Sequence, residues 1–192
     1  TERRWPCPRG DLGVRPGQRV AIAMRNRPEW LVSFIATVQA GAVPVPLNSW
    51  GLRAEILNAL EDVGGSLLIC DQPRLALVAD ALPARGVQAL LVDGEAGEGV
   101  YSYAALLGEP VEAVDPHAPA PEDPALILFT SGTTQRAKAV VSSHRAVSQA
   151  LYALEFQSAF AGMTSYERIR PLLESGLQPT LLLAVPLFHV SG

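Results

Sequence analysis

The chain has 192 residues, of which 48% are hydrophobic and 18% charged, the balance of a globular protein with a core of its own rather than of a disordered segment. A formal net charge of -4 gives no basic footprint for nucleic acid or for an anionic membrane surface. Two cysteines, Cys7 and Cys70, stand too far apart for a metal motif or a disulfide framework and suit a reducing compartment.

At the start, Glu2, Arg3 and Arg4 are followed by no apolar block, so this is not a secretory signal, and a cytoplasmic location is expected. Val20, Ile22 and Met24 alternate along a strand from Arg19 to Met24. Asn26-Arg27-Pro28 then opens a helix, proline being tolerated in the first turn. Trp30, Leu31, Phe34, Ile35 and Val38 form its apolar face and Gly41 ends it. The uncharged run from Trp30 to Leu52 is long enough for a membrane helix, but Gly41, Pro44 and Pro46 break it, and no integral membrane segment is predicted. Val43 to Leu47 is the next strand. A helix from about Arg53 carries Ile56, Leu57, Leu60 and Val63, with Gly64-Gly65 as its stop. Ser66 to Asp71 is a continuous apolar strand of the kind buried on both faces of a parallel sheet. A short helix with Leu75, Val78 and Leu82 precedes a strand from Val87 to Val92. This alternation predicts a doubly wound α/β fold: a layered, mostly parallel sheet flanked by helices.

Residues 108–124 are rich in proline and acidic side chains and form a surface connector. The short strand Ala125 to Phe129 follows it, and Lys138 to Ser143 is also extended. His144 starts a helix with Val147, Leu151 and Leu154 on one side. Thr164-Ser165-Tyr166-Glu167 has the pattern of a capping box for another helix, with Ile169 and Leu173 facing inward. Thr180 to Val185 is a last apolar strand.

Between two of these strands lies a loop of Thr130, Ser131, Gly132, Thr133 and Thr134, with Lys138 behind it. Hydroxyls, exposed backbone N–H groups, a glycine and a lysine make an anion-binding concavity, and a polyphosphate is its natural guest. The G-x-x-x-x-G-K-[ST] spacing of the P-loop, the G-x-G-x-x-G of dinucleotide folds and the G-x-S-x-G elbow of hydrolases are all absent. His189, beside Phe188, reads from the residues alone either as a packed aromatic or as a functional imidazole. His117 falls in the connector, and His144 reads as a helix-start or loop contact.

The stretch FTSGTTQRAK (Phe129 to Lys138) resembles the phosphate loop of the adenylate-forming enzymes, whose usual form is T-S-G-T-T-G-x-P-K-G. The lead-in DPALILF, the later SHR at Ser143 to Arg145 and PLFHVSG at Pro186 to Gly192 are similar to further elements of that family. So are GVRPGQRV from Gly13 and AGAVPVPLN from Ala40. The acyl-CoA synthetase branch is the nearest in pattern. The resemblance implies a ligase that couples a small-molecule carboxylic acid, fatty or otherwise apolar, to ATP as an acyl-adenylate and then transfers the acyl group to coenzyme A. Thr130, Ser131, Gly132, Thr133 and Thr134 would grip the phosphates, Lys138 would order the loop, and Mg²⁺ would bridge the phosphates. His189 would be the candidate catalytic residue, where acyl and nucleotide pockets meet. No residue is assigned as a metal ligand.

The resemblance divides the chain into an abbreviated N-terminal segment (1–17), an α/β subdomain (18–107), the connector (108–124) and a phosphate-loop segment that begins a truncated second subdomain (125–192). It thereby implies the N-terminal portion of the ligase fold, inactive by itself. Gln135, Ala137 and Ala139 replace the glycine, proline and glycine of the usual loop. Glutamine at a position needing positive φ costs on the order of 1 kcal/mol, and losing the proline raises the entropy lost when the loop orders. Two alternatives are therefore a carrier-protein-loading adenylation domain and a non-catalytic nucleotide-binding domain with a degenerate loop.

Overall fold

The computed structural model describes residues 12–107, 118–130, 137–176, 178, 182 and 184–189. Five strands form one sheet: β1 (Arg19–Ala23), β2 (Val43–Pro46), β3 (Leu67–Cys70), β4 (Gln88–Leu91) and β5 (Val100–Ser102). They lie in the order β2-β1-β3-β4-β5 and every pairing is parallel. The expected α/β class is present. β3 sits centrally with all four residues buried, as its unbroken apolar run requires. β2 lies at the edge, where Val43 donates to the Gln18 carbonyl just before β1 and Leu47 to the Ile22 carbonyl within it, while Pro44 and Pro46 alternate with the donors. Proline has no N–H to give, which confines it to such an edge.

Between the strands run α1 (Pro28–Gln39), α2 (Arg53–Val63) and α3 (Gln72–Val78), the last followed by two short turns of 3₁₀ helix. The period-two alternation of the strands builds a core on each face of the sheet. Ala21, Leu68, Cys70 and Leu91 join Ile56, Leu60 and Val63 of α2 and Val78 of α3 on one face. Val20, Ile22, Ile69 and Leu90 join Trp30 and Phe34 of α1 on the other. Burial of each large aliphatic is worth about 1.5–3 kcal/mol. α2 ends where expected: Gly64 takes φ 60°, ψ 44°, the left-handed conformation that closes a helix at low steric cost.

The inward face of α1 differs from the expected one. Trp30, Ser33 and Thr37 are the buried residues, whereas Leu31 and Ile35 are largely exposed. Ser33 and Thr37 are small enough to be buried there, and Thr37 spends its hydroxyl on the Ser33 carbonyl at 2.7 Å. The expected face holds for Trp30 and Phe34 and fails for Leu31 and Ile35. Trp30 and Phe34 stack at 5.3 Å. β5 and the short α4 (Tyr103–Leu107) were not expected, since three and five residues are too few to show a period.

β6 (Pro124–Thr130) and β7 (Lys138–Ser143) form a separate antiparallel hairpin. β6 packs alongside β2, with Ile127 in the α2-side core and Phe129 against it. α5 (His144–Thr164) starts at an N-cap, Ser143, whose hydroxyl accepts from the Ala146 N–H. The His144 N–H donates to the Asp123 carbonyl at 3.0 Å, which makes this histidine the expected helix-start contact. Leu151 and Leu154 are exposed on one flank of α5, and Tyr152, Phe156, Phe160 and Met163 on the other. A helix apolar on both flanks has the composition of a two-sided packing element.

α6 (Tyr166–Glu174) starts at Ser165 without a side-chain cap, so the expected capping box does not form. Thr164 remains the last residue of α5 and its hydroxyl bonds back to the Phe160 carbonyl at 2.9 Å. The side chains of Ile169 and Leu173, the N-terminal segment up to residue 11, most of the connector with His117, and residues 180, 181 and 183 of the strand expected over Thr180 to Val185 lie outside the described residues, while Leu182, Ala184 and Val185 belong to no strand.

Candidate functional site

Two places carry the residues singled out from the sequence. The first is the mouth of the β6–β7 hairpin. There the register sets Thr130 opposite Lys138 and Phe129 opposite Ala139, and the Thr130 hydroxyl reaches the Lys138 carbonyl at 3.5 Å. The extended segment expected from Lys138 is thus real, and it folds back on the strand before it instead of opening a helix as a P-loop would. Both residues are exposed, so the lysine's charge stands beside the base of the loop that joins the strands. Ser131, Gly132, Thr133, Thr134 and Gln135 lie outside the described residues. Anchoring of the strand below the mouth, by Ile127 and Phe129 on the core, fixes the loop's base to the main sheet.

The second place is the carboxyl edge of the five-stranded sheet. The order β2-β1-β3 reverses the winding direction between β1 and β3, and α/β folds bind ligands outside such a switch point. Here the edge is closely tied. The Asp71 carboxylate, just after β3, caps α3 through the Arg74 N–H at 3.3 Å, accepts the Arg25 N–H at 3.2 Å across the switch point and pairs with the Arg74 guanidinium at 3.1 Å. Arg74 in turn donates Nε–H to the Ser49 carbonyl at 2.8 Å. The pair is buried and its hydrogen bonds are well supplied, which is the condition for an interior ion pair to persist. Asp93, after β4, accepts from the Gln72 N–H and from Arg27, both at 2.8 Å. Arg27 also bonds Glu29 and so holds its carboxyl below the usual range.

His189 stands on this edge. Asn26 Nδ2 donates to the Val185 carbonyl at 2.7 Å, and Asn26 Oδ1 accepts from the Leu187 N–H at 2.9 Å. The His189 N–H closes a turn onto the Pro186 carbonyl at 3.1 Å. Phe188 meets Trp50 edge-to-face at 5.3 Å, and the Arg25 guanidinium lies 4.5 Å from the centre of the Trp50 ring. The structure therefore brings Thr130 and Lys138 together and sets His189 on a different support, the loops after β1 and β2. Sequence reasoning missed that support. Asn26 was read as part of the helix start, but Arg27 is the N-cap and makes no side-chain capping bond, and the Asn26 amide has a tertiary role. The available signal was position: a polar residue directly after the first strand of a doubly wound sheet lies at the ligand-binding edge. Among the described residues no group of three or more histidine, cysteine or acidic side chains could hold a metal ion.

The chain is similar to known ligases over most of its length. A crotonobetaine/carnitine–CoA ligase of Escherichia fergusonii is 31% identical over 179 residues, an alignment that takes in 90% of this chain and 35% of the relative. The nonribosomal peptide synthetase inpB of Emericella nidulans is 31% identical over 141 residues, covering 73% of this chain and 6% of that protein. Among solved structures, the anthranilate CoA ligase AuaEII in complex with anthranoyl-AMP superposes with a TM-score of 0.60 at 27% identity, over 70% of this chain and 26% of the ligase. The chain thus spans about a third of the length of the curated ligase it matches. The family model described as AMP-binding enzyme matches residues 9–192, and with it the chain belongs to the AMP-binding enzyme family.

Proposed function

We propose that this chain carries the phosphate-gripping part of an ATP-dependent acyl-CoA synthetase. The observation that supports the reading is the pairing of Thr130 with Lys138 at the mouth of an anchored hairpin, because these two residues bound the hydroxyl- and glycine-rich stretch of the sequence. In the first step a carboxylate oxygen attacks the α-phosphorus of ATP, the bond to the bridging oxygen breaks and pyrophosphate leaves. In the second, the thiolate of coenzyme A attacks the acyl carbon and AMP leaves. Attacker and phosphates are all anionic in the first step, so the protein's contribution is positioning and charge neutralisation. Backbone N–H groups and the hydroxyls of Thr130, Ser131, Thr133 and Thr134 hold the outer phosphates, with Gly132 allowing close approach and Lys138 ordering the loop. Mg²⁺ would accompany the nucleotide and neutralise part of its phosphate charge. His189 lines the place where acyl group and nucleotide meet.

The acid we propose is apolar, and the location cytoplasmic; among the described residues no helix is long and apolar enough to cross a membrane. The similarity to a nonribosomal peptide synthetase supports a second reading, in which the acyl group passes to a carrier-bound thiol. The test is ATP–pyrophosphate exchange by the full-length protein over a panel of aliphatic, aromatic and zwitterionic carboxylic acids, followed by acyl transfer to coenzyme A or to a phosphopantetheinyl carrier. Exchange that depends on an apolar acid, and that Lys138→Gln weakens mainly by raising KM for ATP about tenfold or more, supports the reading. Exchange with no acid at all refutes it, and acyl transfer only to the carrier decides for the second reading. The 192 residues alone are expected to give background exchange. A large gain in ATP affinity from Gln135→Gly, Ala137→Pro and Ala139→Gly together would mark the loop as degenerate.

A further inference from the structure

The turn that carries His189 has no strand paired with it among the described residues. Pro186 interrupts its backbone with a nitrogen that cannot donate. The groups on either side, the Val185 carbonyl and the Leu187 N–H, therefore need partners of opposite kind within one short reach. The Asn26 carboxamide supplies both, at 2.7 and 2.9 Å. A side-chain amide offers a donor and an acceptor side by side on one uncharged plane, and it acts here as a single peptide unit of an adjoining strand. The His189 N–H then closes onto the Pro186 carbonyl at 3.1 Å, so the orientation given to residues 185–187 passes to the imidazole-bearing residue. Leu187 packs against the α1-side core and Phe188 against Trp50. These apolar contacts hold the turn down, but they are non-directional and do not fix the rotation of its peptide planes.

We propose that Asn26 is a positioning residue for the Pro186 to His189 turn: by bonding the backbone on both sides of Pro186 it sets where the His189 imidazole stands. The proposal rests on the reading of His189 as part of the acyl–nucleotide site. Asn26 lies far from the loop 131–134 in sequence.

The experiment uses the full-length protein with Asn26→Ala, Asn26→Asp, His189→Ala and the double variant Asn26→Ala/His189→Ala. Two measurements are made: amide hydrogen exchange at Leu187, with Ile22 and Ile69 as fold controls, and carboxylate-dependent ATP–pyrophosphate exchange. Asn26→Ala should speed exchange at Leu187 about tenfold while the β1 and β3 amides keep their protection. It should lower kcat/KM for the carboxylate by about tenfold with KM for ATP within about twofold. Asn26→Asp, which keeps the acceptor for Leu187 but sets a carboxylate oxygen against the Val185 carbonyl, should lose as much or more activity. If the asparagine acts through the histidine, the double variant is no slower than His189→Ala alone. Unchanged exchange at Leu187 in Asn26→Ala overturns the proposal whatever the activity. An additive double variant, or wild-type kinetics in Asn26→Ala beside an impaired His189→Ala, overturns it while leaving the site reading intact. A silent His189→Ala removes the site reading and the proposal with it.

Discussion

Truncating Arg74 to alanine removes the cation from the most deeply placed ion pair described in the molecule. Its side chain is 11% exposed and that of Asp71 5%, so water replaces neither partner well. Breaking a buried pair from one side costs about 3–5 kcal/mol, mostly because the remaining charge is stranded. Asp71 is not fully stranded in Arg74→Ala, since its carboxylate keeps the backbone N–H groups of Arg25 and of residue 74. The Ser49 carbonyl, by contrast, loses the Arg74 side-chain bond. The expected loss therefore falls at the lower end, about 3 kcal/mol, or a fall in Tm of about 6–12 °C for a chain of this size. Urea unfolding followed by circular dichroism gives the free energy, and Asp71→Asn, Arg74→Met and the pair of them give the coupling. We expect the double variant to be more stable than the sum of the single losses by about 1–3 kcal/mol. A loss below about 1 kcal/mol in Arg74→Ala, the size of an exposed pair, with additive single variants, would refute the argument that this contact joins the loops after β2 and β3.

Gly64 should lose about 1 kcal/mol as alanine, because its φ of 60° is strained for an L-residue while the space beside it is open. Gly97→Ala, which also meets open space but needs no positive φ, should stay within about 0.5 kcal/mol and serves as the control in the same unfolding assay. The Cys70 thiol is pushed up to about 12, first by burial and then by the nearby Asp71 and Asp93 carboxylates. At pH 8 it should resist an alkylating agent in the folded protein and react once urea has unfolded it. The folded value lies above the unfolded one of 9.0, so this group's contribution to stability is complete below pH 9. It declines as pH rises towards 12, because there the unfolded state has released a proton that the folded state retains. A rise in stability across that window, after other titrations are matched with Cys70→Ala, would contradict the assignment.

Much of the fold could be read along the chain because its signals are local. The unbroken apolar run around Leu68 announced a central strand, Gly64 announced the end of α2, and strand, helix and strand in turn announced a parallel sheet. The resemblance of Thr130 to Lys138 to a phosphate-binding loop was recognisable for the same reason, since such a loop is a contiguous stretch whose chemistry is written in consecutive side chains. What depended on distant partners was not visible. Hydrophobicity alone placed Leu31 and Ile35 of α1 inward, but the packed helix buries Ser33 and Thr37 in their stead. Thr164 looked like a cap until its hydroxyl proved to belong to the preceding helix. The strand order β2-β1-β3, and with it the switch point, follows from how the sheet closes its two cores and from no single segment. The seat of His189 was decided at the same level: Asn26 and Val185 are 159 positions apart. Only the packing of the chain onto the carboxyl edge of β1 brings that amide to the backbone it holds.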